Sequence, residues 1–306
     1  MIHVEKLYVE YPSKRALNNV SFDIPSGSIT ALVGPNGAGK TTLMRCIAAL
    51  DEPFSGQITV NGVNVVEHPR RAHQMLGYLS DFFGVYHDLT VYQNLMFIAR
   101  IHQLPQNTIE KQVLWAAQCV GLTSYLHSSS RVLSRGWRQR LGIAMSLVHR
   151  PQLVLLDEPA SGLDPEARTE LSHLFKTLNN EGMTLLVSSH ILAELEDYCT
   201  DMLVLRDGEV VEHRLSQPAN KDTSLIMLTL PEDAVAFEDK IKNMPEVLGV
   251  KTQGREIYIE LNMTEAQHHE FLKRLIEQDI PVMSFQLQKQ KLQDIYLSLT
   301  QKGNPL

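Results

Sequence analysis

The amino-acid sequence predicts an α/β fold followed by a second, smaller α+β domain, and three observations carry that prediction. Short apolar runs rich in β-branched residues alternate with helix-like stretches over residues 1–215, which is typical of a buried parallel sheet. Residues of about 82–150 have helical patterning without a strong strand signal, so they predict a helical insertion. After a polar segment that contains proline, residues 223–306 follow the order β-α-β-β-α-β.

The composition is that of an ordinary globular protein with a mild negative charge. The chain has 306 residues, 43% of them hydrophobic, with 28 Lys and Arg against 35 Asp and Glu, for a net charge of −7. This apolar content is enough to bury a core, so a disordered chain is excluded. Because the chain is not broadly basic, we expect no nucleic-acid partner.

The location predicted from the sequence is the cytoplasm. No uninterrupted apolar run approaches the ~18 residues of a transmembrane helix, and the first residues lack the basic start and apolar middle of a signal peptide. Cys46, Cys119 and Cys199 are widely separated and form no CxxC pair. This usage fits a reducing compartment and three buried thiols rather than a zinc site.

Three short segments of the first domain are predicted to be buried parallel strands. These segments are Ile29–Val33, Leu153–Leu156 and Leu185–Val187. Asp207-Gly208 lies between two further apolar runs and predicts a hairpin turn.

The second domain is predicted to be a small ferredoxin-like domain with one additional helix. Its predicted elements are the strand Leu225–Leu230, the helix Asp233–Met244, the hairpin Val247–Lys251 and Glu256–Leu261, the helix Glu265–Gln278, the strand Val282–Leu287 and a final helix Lys291–Leu299.

A glycine-rich motif between a predicted strand and a predicted helix indicates a phosphate-binding loop. The motif reads Gly34-Pro35-Asn36-Gly37-Ala38-Gly39-Lys40-Thr41, and Thr42–Ala49 follows as a helix. Glycines let successive backbone N–H groups face one anion, and the helix N-terminus adds partial positive charge. In this interpretation Lys40 reaches the β- and γ-phosphates and the Thr41 hydroxyl binds Mg²⁺. The alternative is a plain glycine-rich turn before a helix.

An acidic pair follows the predicted strand Leu153–Leu156 and fits the second half of such a site. Asp157 at the strand end would lie beside Mg²⁺ bound to the phosphates, and Glu158 would polarise the attacking water. Taken alone, an acidic pair after a strand is more often a solvated strand end.

A further ordered set of motifs resembles the nucleotide-binding domain of ABC ATPases over residues 1–215. Leu133-Ser134-Arg135-Gly136-Trp137-Arg138-Gln139-Arg140 resembles the signature sequence of that family. Ser161-Gly162-Leu163-Asp164 follows Glu158, and His190 follows the strand Leu185–Ser188. Tyr11 stands where the family places an aromatic residue against adenine.

The resemblance implies a site shared by two subunits, with ATP and Mg²⁺ as cofactors. Two nucleotide-binding domains would pack head to tail, and Ser134 and Gly136 would contact the γ-phosphate bound by the partner. Asp164 would lie at the dimer seam, and His190 would hold the γ-phosphate and the water. Each has a plain alternative: Ser134 as an ordinary helix N-cap, His190 as a structural histidine, and Tyr11 as a packing residue.

The sequence departs from the family pattern at two places. Asp81 stands where the family has a Gln that approaches Mg²⁺, and a carboxylate cannot donate as an amide does. Arg135 and Trp137 replace the commoner Gly and Gln of the signature, and Arg135 adds a cation near the expected phosphate. Aromatic residues over 81–86 lie where the family forms a groove for the membrane partner, and packing between lobes is an equal alternative.

The prediction for function is therefore an ATP-binding, ATP-hydrolysing subunit of an ABC transporter. Its signature variant resembles exporter subunits whose integral membrane permease is a separate chain. The expected partners are that permease and a second nucleotide-binding subunit, identical or different, with the chain peripheral on the cytoplasmic face of the membrane. The second hypothesis is a soluble ABC ATPase without a transport role, of the cofactor-assembly type. A kinase with the same phosphate loop would leave the signature and His190 unexplained.

Overall fold

The structure is a computed structural model that describes residues 1–12, 14–81, 84–189, 195, 197–214, 223–263 and 267–288. The chain divides into two compact units, Met1–Leu215 and Ser216–Leu306. In chain order the first unit contains β1 (Ile2–Tyr11), β2 (Lys14–Ile24), β3 (Ile29–Val33), α1 (Lys40–Ile47), β4 (Ser55–Val60), β5 (Val63–Asn64), α2 (Pro69–Met75), β6 (Leu76–Leu79), α3 (Val91–Ile101), α4 (Ile109–Cys119), α5 (Arg135–Leu147), β7 (Leu153–Asp157), α6 (Pro165–Asn180), β8 (Thr184–Ser189), β9 (Asp201–Arg206) and β10 (Glu209–Arg214).

A six-stranded sheet forms the centre of the first unit, in the order β10-β9-β3-β8-β7-β6. Five of its strands run parallel, and β10 pairs antiparallel with β9. All residues of β3, β7 and β8 are buried, as expected of strands covered on both faces. The predicted α/β fold with buried parallel strands is confirmed. Because β3, β8 and β7 are neighbours, the loops at their carboxyl ends meet at one edge of the sheet.

A second sheet, in the order β2-β1-β4-β5, is antiparallel and shares a hydrophobic core with the first. Its strands alternate buried and exposed residues, so one face packs on the core and the other meets solvent. The pairing is irregular, with a register shift between Val4 and Leu7, where Lys6 has a φ of 46°. The sequence did not predict this sheet.

The predicted helical insertion is present as α3, α4 and α5 with two short 3₁₀ turns. Helix α3 begins with a capping box, in which the Thr90 hydroxyl accepts from the Gln93 backbone N–H while the Gln93 side chain accepts from Thr90. Asn94 is fully buried and binds the Tyr86 carbonyl oxygen and the Ser130 hydroxyl. These bonds fasten the loop before α3 to the segment that leads into α5.

The hairpin at Asp207-Gly208 is formed as predicted, with φ values of 51° and 80° at the two turn residues. Two positive φ angles match the twist of the flanking strands and account for the Asp-Gly pair. A Cβ on Gly208 would lie 2.7 Å from the Ala16 carbonyl oxygen, so no larger residue fits there.

The second unit has the topology of a ferredoxin-like domain. Its elements are β11 (Thr223–Thr229), a 3₁₀ turn (Ala234–Phe237), α7 (Glu238–Lys242), β12 (Val247–Gln253), β13 (Glu256–Asn262), α8 (His268–Glu277) and β14 (Ser284–Gln288). The sheet order is β12-β13-β11-β14, with antiparallel neighbours throughout. The face that carries Ile226, Ile259 and Leu261 packs with Phe271 and Leu275 of α8.

For the second unit, the structure corrects the prediction for the first helix and leaves the prediction for the final helix untested. The helix predicted over Asp233–Met244 is a 3₁₀ turn followed by the short α7, since the Asp233 side chain accepts from the Val235 backbone N–H and starts a tight turn. The final helix predicted over Lys291–Leu299 lies outside the described residues.

Two histidines stack where the helical insertion meets the central sheet. The rings of His102 and His149 lie 3.8 Å apart and 5° from parallel, and the His149 Nε2 atom is 3.0 Å from the Leu76 carbonyl oxygen. If Nε2 is the donor, the neutral ring carries no proton on Nδ1. The Nδ1 atom of His149 is buried without a hydrogen-bond partner among the described residues. Burial, with His102 as a smaller cause, lowers the pKa of His149 from 6.5 to about 4.

We expect His149 to make the free energy of unfolding fall as the pH drops from 6.5 towards 4. In this pH range His149 is protonated in the unfolded chain and neutral in the folded chain. This difference lowers the free energy of unfolding by up to about 3 kcal/mol. His149→Gln keeps an N–H donor for Leu76 and removes the titration, so the decline becomes shallower. Urea unfolding at several pH values measures this, with His173→Gln on the exposed side of α6 as control. Equal slopes for the two variants would contradict the prediction.

Candidate functional site

The glycine-rich loop turns tightly between β3 and α1. A Cβ on Gly34 would lie 2.2 Å from the Leu205 carbonyl oxygen, which leaves room for glycine alone. Gly39 precedes α1 with a φ of 107°, and a Cβ there would lie 2.7 Å from the Ala16 carbonyl oxygen. The loop therefore presents backbone N–H groups at the start of α1, where the helix dipole favours an anion.

Lys40 is a buried cation that closes over the loop. Its side chain is 7% exposed, and Nζ donates to the carbonyl oxygens of Gly34 at 2.8 Å and Pro35 at 3.4 Å. The same Nζ lies 4.0 Å from Glu158 Oε1. Burial lowers the pKa of Lys40, while the charges of Glu158 and Asp157 oppose that shift. A polyphosphate entering the loop would meet this charge.

One hydroxyl contacts both acidic residues at the end of β7. The Ser188 Oγ atom on β8 donates to Asp157 Oδ1 at 2.6 Å and accepts from the Glu158 backbone N–H at 2.9 Å. Glu158 has a φ of 50°, a left-handed conformation that costs a non-glycine residue about 1–3 kcal/mol. Such a strained conformation persists only where the surrounding structure enforces it, and residues of this kind are frequent at functional sites.

The same edge of the sheet offers oxygen ligands for a hard cation. Asp157 is 1% exposed, and its Oδ2 atom has no hydrogen-bond partner within the described part of the chain. Such an orphaned buried carboxylate oxygen fits a bound cation. Thr41 and Asp81 line the cleft beside it. These three residues are those that could hold Mg²⁺.

An open cleft of about 480 Å³ brings most of the sequence-predicted residues together. Its lining includes Tyr11, Lys14, Ala16, Asn36, Gly37, Gly39, Lys40, Thr41, Thr42, Asp81, Glu158 and Ser161. The sequence did not point to Lys14, whose Nζ donates to the Gly37 carbonyl oxygen at 2.9 Å, nor to Ser188. Tyr11 is 45% exposed at the rim, which agrees with a surface for a ligand more than with core packing.

A second cavity, of about 350 Å³, lies at the start of α5. Its lining comprises Ser134, Arg135, Gly136, Trp137, Arg140, Gly162, Leu163, Asp164, Glu166, Ala167 and Glu170. Ser134 and Asp164 each begin a helix, since Ser134 Oγ accepts from the Trp137 backbone N–H at 3.4 Å and Asp164 Oδ1 accepts from Ala167 at 2.9 Å. Both residues are exposed, so a capping role leaves them accessible to a partner.

Arg135 joins the signature segment to the loop that follows Glu158. Its Nη2 atom donates to the Ser161 carbonyl oxygen at 3.3 Å. The guanidinium lies over Gly162, where a Cβ would come within 2.5 Å of Arg135 Cζ. Within the described residues, the first cavity and the second share no lining residue. His190 lies outside the described residues.

A buried lysine in a glycine loop after β3, close to a carboxylate pair at the end of β7 in the same parallel sheet, is the arrangement of a phosphate-loop nucleotide hydrolase. A family model described as ABC transporter matches residues 17–161, and a model for an AAA domain (putative AbiEii toxin, Type IV TA system) matches residues 128–196. The linearmycin resistance ATP-binding protein LnrL of Bacillus subtilis is 30% identical over 98% of both chains. The lantibiotic transport ATP-binding protein SrtF of Streptococcus pyogenes is 35% identical over 69% of this chain and 89% of its own.

Solved structures support the same family assignment. A dimeric bacterial ABC transporter cassette superposes with a TM-score of 0.65 at 25% identity, covering 71% of this chain and 99% of its own. The chain belongs to the family of ABC transporter ATP-binding proteins, and it is an ATPase. The resemblance predicted from the motifs is thereby confirmed. In the described residues, no helix combines the length and apolar character needed to cross a membrane.

Proposed function

We propose that this chain powers an ABC exporter by closing head to tail with a second nucleotide-binding subunit around ATP. The observation that carries the proposal is the separation of the two cavities. The phosphate loop lines one and the signature lines the other, with no lining residue in common among the described residues. This arrangement supports a nucleotide site that the signature of another subunit completes.

In this proposal each side chain has a distinct task. Lys40 and the loop N–H groups bind the phosphates, and Tyr11 contacts the adenine. Thr41, Asp157 and Asp81 would hold Mg²⁺, which supplies positive charge against the phosphate oxygens. Glu158 accepts a proton from the attacking water, and His190 orients that water. Ser134 and Gly136 contact the partner's γ-phosphate, and Asp164 lies at the seam.

The export direction is supported by relatives whose names tie them to resistance or to lantibiotic transport. In the test, a host carries this chain together with its permease and is exposed to a panel of amphiphilic antibiotics, with the Lys40→Ala variant as the inactive control. Raised resistance that needs Lys40 supports export. Raised sensitivity that needs Lys40 would indicate uptake.

The permease partner can be identified by capture from membranes. We expect the tagged full chain, purified from detergent-solubilised native membranes, to bring down a multi-span membrane protein in stoichiometric amount, as mass spectrometry would report. A complex with soluble proteins alone would favour the soluble, cofactor-assembly type of ABC ATPase and leave the nucleotide chemistry intact.

A surface on the helical insertion is the expected contact for that permease. The rings of Tyr86 and Phe97 meet edge to face at 5.0 Å and are 49% and 39% exposed. We expect Phe97→Glu to lower permease recovery about tenfold while the ATPase activity of the isolated chain is unchanged. Leu114→Glu, an equally exposed apolar site on α4, is the matched control. Equal loss with both variants would contradict a specific contact.

A further inference from the structure

We propose that Asp51 is a positioning residue for the base of the nucleotide, because it fixes the ring of Tyr11 at the rim of the cleft. The inference rests on the proposed contact between Tyr11 and the adenine. The Tyr11 hydroxyl donates to Asp51 Oδ2 at 3.2 Å. Tyr11 lines the cleft, whereas Asp51 is not among its lining residues. The hydroxyl end of the side chain is thus held by Asp51, with a further hydrogen bond to Thr42, and the ring face remains available for a base.

Asp51 is itself held in place by Arg45. The arginine Nε and Nη2 atoms donate to the two Asp51 carboxylate oxygens, each at 2.7 Å. A bidentate pair of this kind fixes the carboxylate in orientation as well as in position. The hydrogen bonds from Arg45, together with its charge, hold the pKa of Asp51 below its usual range, so the carboxylate stays an acceptor at neutral pH.

Arg45 belongs to the same helix as the phosphate-binding residues. Helix α1 begins at Lys40, and Arg45 lies in its last turn. The chain of contacts Arg45–Asp51–Tyr11 therefore ties the ring on β1 to the helix that starts at the phosphate loop. The distance between the phosphate end and the base end of the site is set by a rigid element rather than by a free side chain.

Core stability alone does not account for this arrangement. Tyr11 is 45% exposed, so its ring adds little buried area to the core. An exposed tyrosine that is free to rotate would pay rotamer entropy when a base stacks on it. The bond to Asp51 restricts that rotation before the ligand arrives, and the resulting gain in affinity applies to ligands that carry a base.

The test compares ATP with inorganic tripolyphosphate, which has the phosphates and lacks the base. Binding to the full chain is measured by calorimetry without Mg²⁺, so that no hydrolysis occurs. We expect Asp51→Ala to lower the affinity for ATP about fivefold and to leave the affinity for tripolyphosphate unchanged. Tyr11→Phe, which keeps the ring, should give the same loss, and the double variant should add nothing further.

Glu10→Ala is the matched control. Glu10 is a surface carboxylate next to Tyr11 whose ion pair with Arg15 does not involve the tyrosine. Its removal should leave the affinity for both ligands unchanged. An equal loss of ATP and tripolyphosphate affinity in Asp51→Ala, or no loss at all, would overturn the positioning role. Unchanged ATP affinity in Tyr11→Ala would instead overturn the proposed adenine contact.

Discussion

Replacement of Glu158 by Gln is expected to lower the ATP turnover of this chain about 100- to 1,000-fold while ATP still binds. The carboxylate lies 4.0 Å from the Lys40 Nζ atom in the cleft, and its amide counterpart cannot accept a proton from water. With hydrolysis blocked and ATP retained, the closed pair of subunits should accumulate. Phosphate release measures the first effect, and size-exclusion chromatography with light scattering measures the second.

Glu181→Gln is the matched control, since that glutamate is exposed at the end of α6, away from the residues that line the cleft. It should hydrolyse ATP as the unmodified chain does and remain in the same association state. A Glu158→Gln protein that stays monomeric at saturating Mg-ATP would count against a composite site built from two copies. A Glu158→Gln protein with full turnover would remove Glu158 from the chemistry.

Replacement of Lys40 by Ala should weaken ATP binding about 100-fold, because the buried ammonium is a charge-assisted donor for phosphate oxygens. The Lys40→Ala variant should also be less stable, because a buried carboxylate lies near the lost charge. Asp157 is 1% exposed, and loss of the nearby cation leaves its charge less well compensated, so the folded state should also be less stable. Fluorescent-nucleotide titration and thermal unfolding would report the two effects separately.

The exposed Lys176 on α6 provides the comparison for that variant. Lys176→Ala removes the same charge from the surface and should change neither property. If the two variants bound ATP equally well, the phosphate-binding role of Lys40 would be refuted. If added Mg²⁺ restored the stability of Lys40→Ala, the cation would be compensating Asp157 directly.

The sequence predicts the parallel strands and the loop well because their signals are local. Strands buried on both faces appear in the sequence as continuous apolar runs. Gly34 and Gly39 stand where a Cβ atom would clash with a backbone carbonyl oxygen, so the motif requires glycine there. The antiparallel sheet was missed for a physical reason. Positive φ angles at Lys6 and Asn19 interrupt the alternation on β1 and β2, so neither strand keeps a simple two-residue period.

The parts of the site that the sequence did not reveal all depend on contacts between distant segments. Ser188 faces Asp157 across the parallel pair of β7 and β8, a register that exists only once the strand order is known. Lys14 reaches the loop from β2, and Asp51 reaches Tyr11 across 40 positions of the chain. Each is an ordinary polar residue in its local sequence, so its role emerges only from the packing.

The contact between Arg135 and the Ser161 carbonyl oxygen connects the two cavities. The short segment from Glu158 to Asp164 has one end in the first cavity and the other in the second, with Arg135 lying across its middle. In the proposed head-to-tail pair, this segment would connect the nucleotide site of each subunit with the signature that faces its neighbour. A displacement of Ser161 would thus be felt at Arg135, so the two sites of the proposed pair would not act independently.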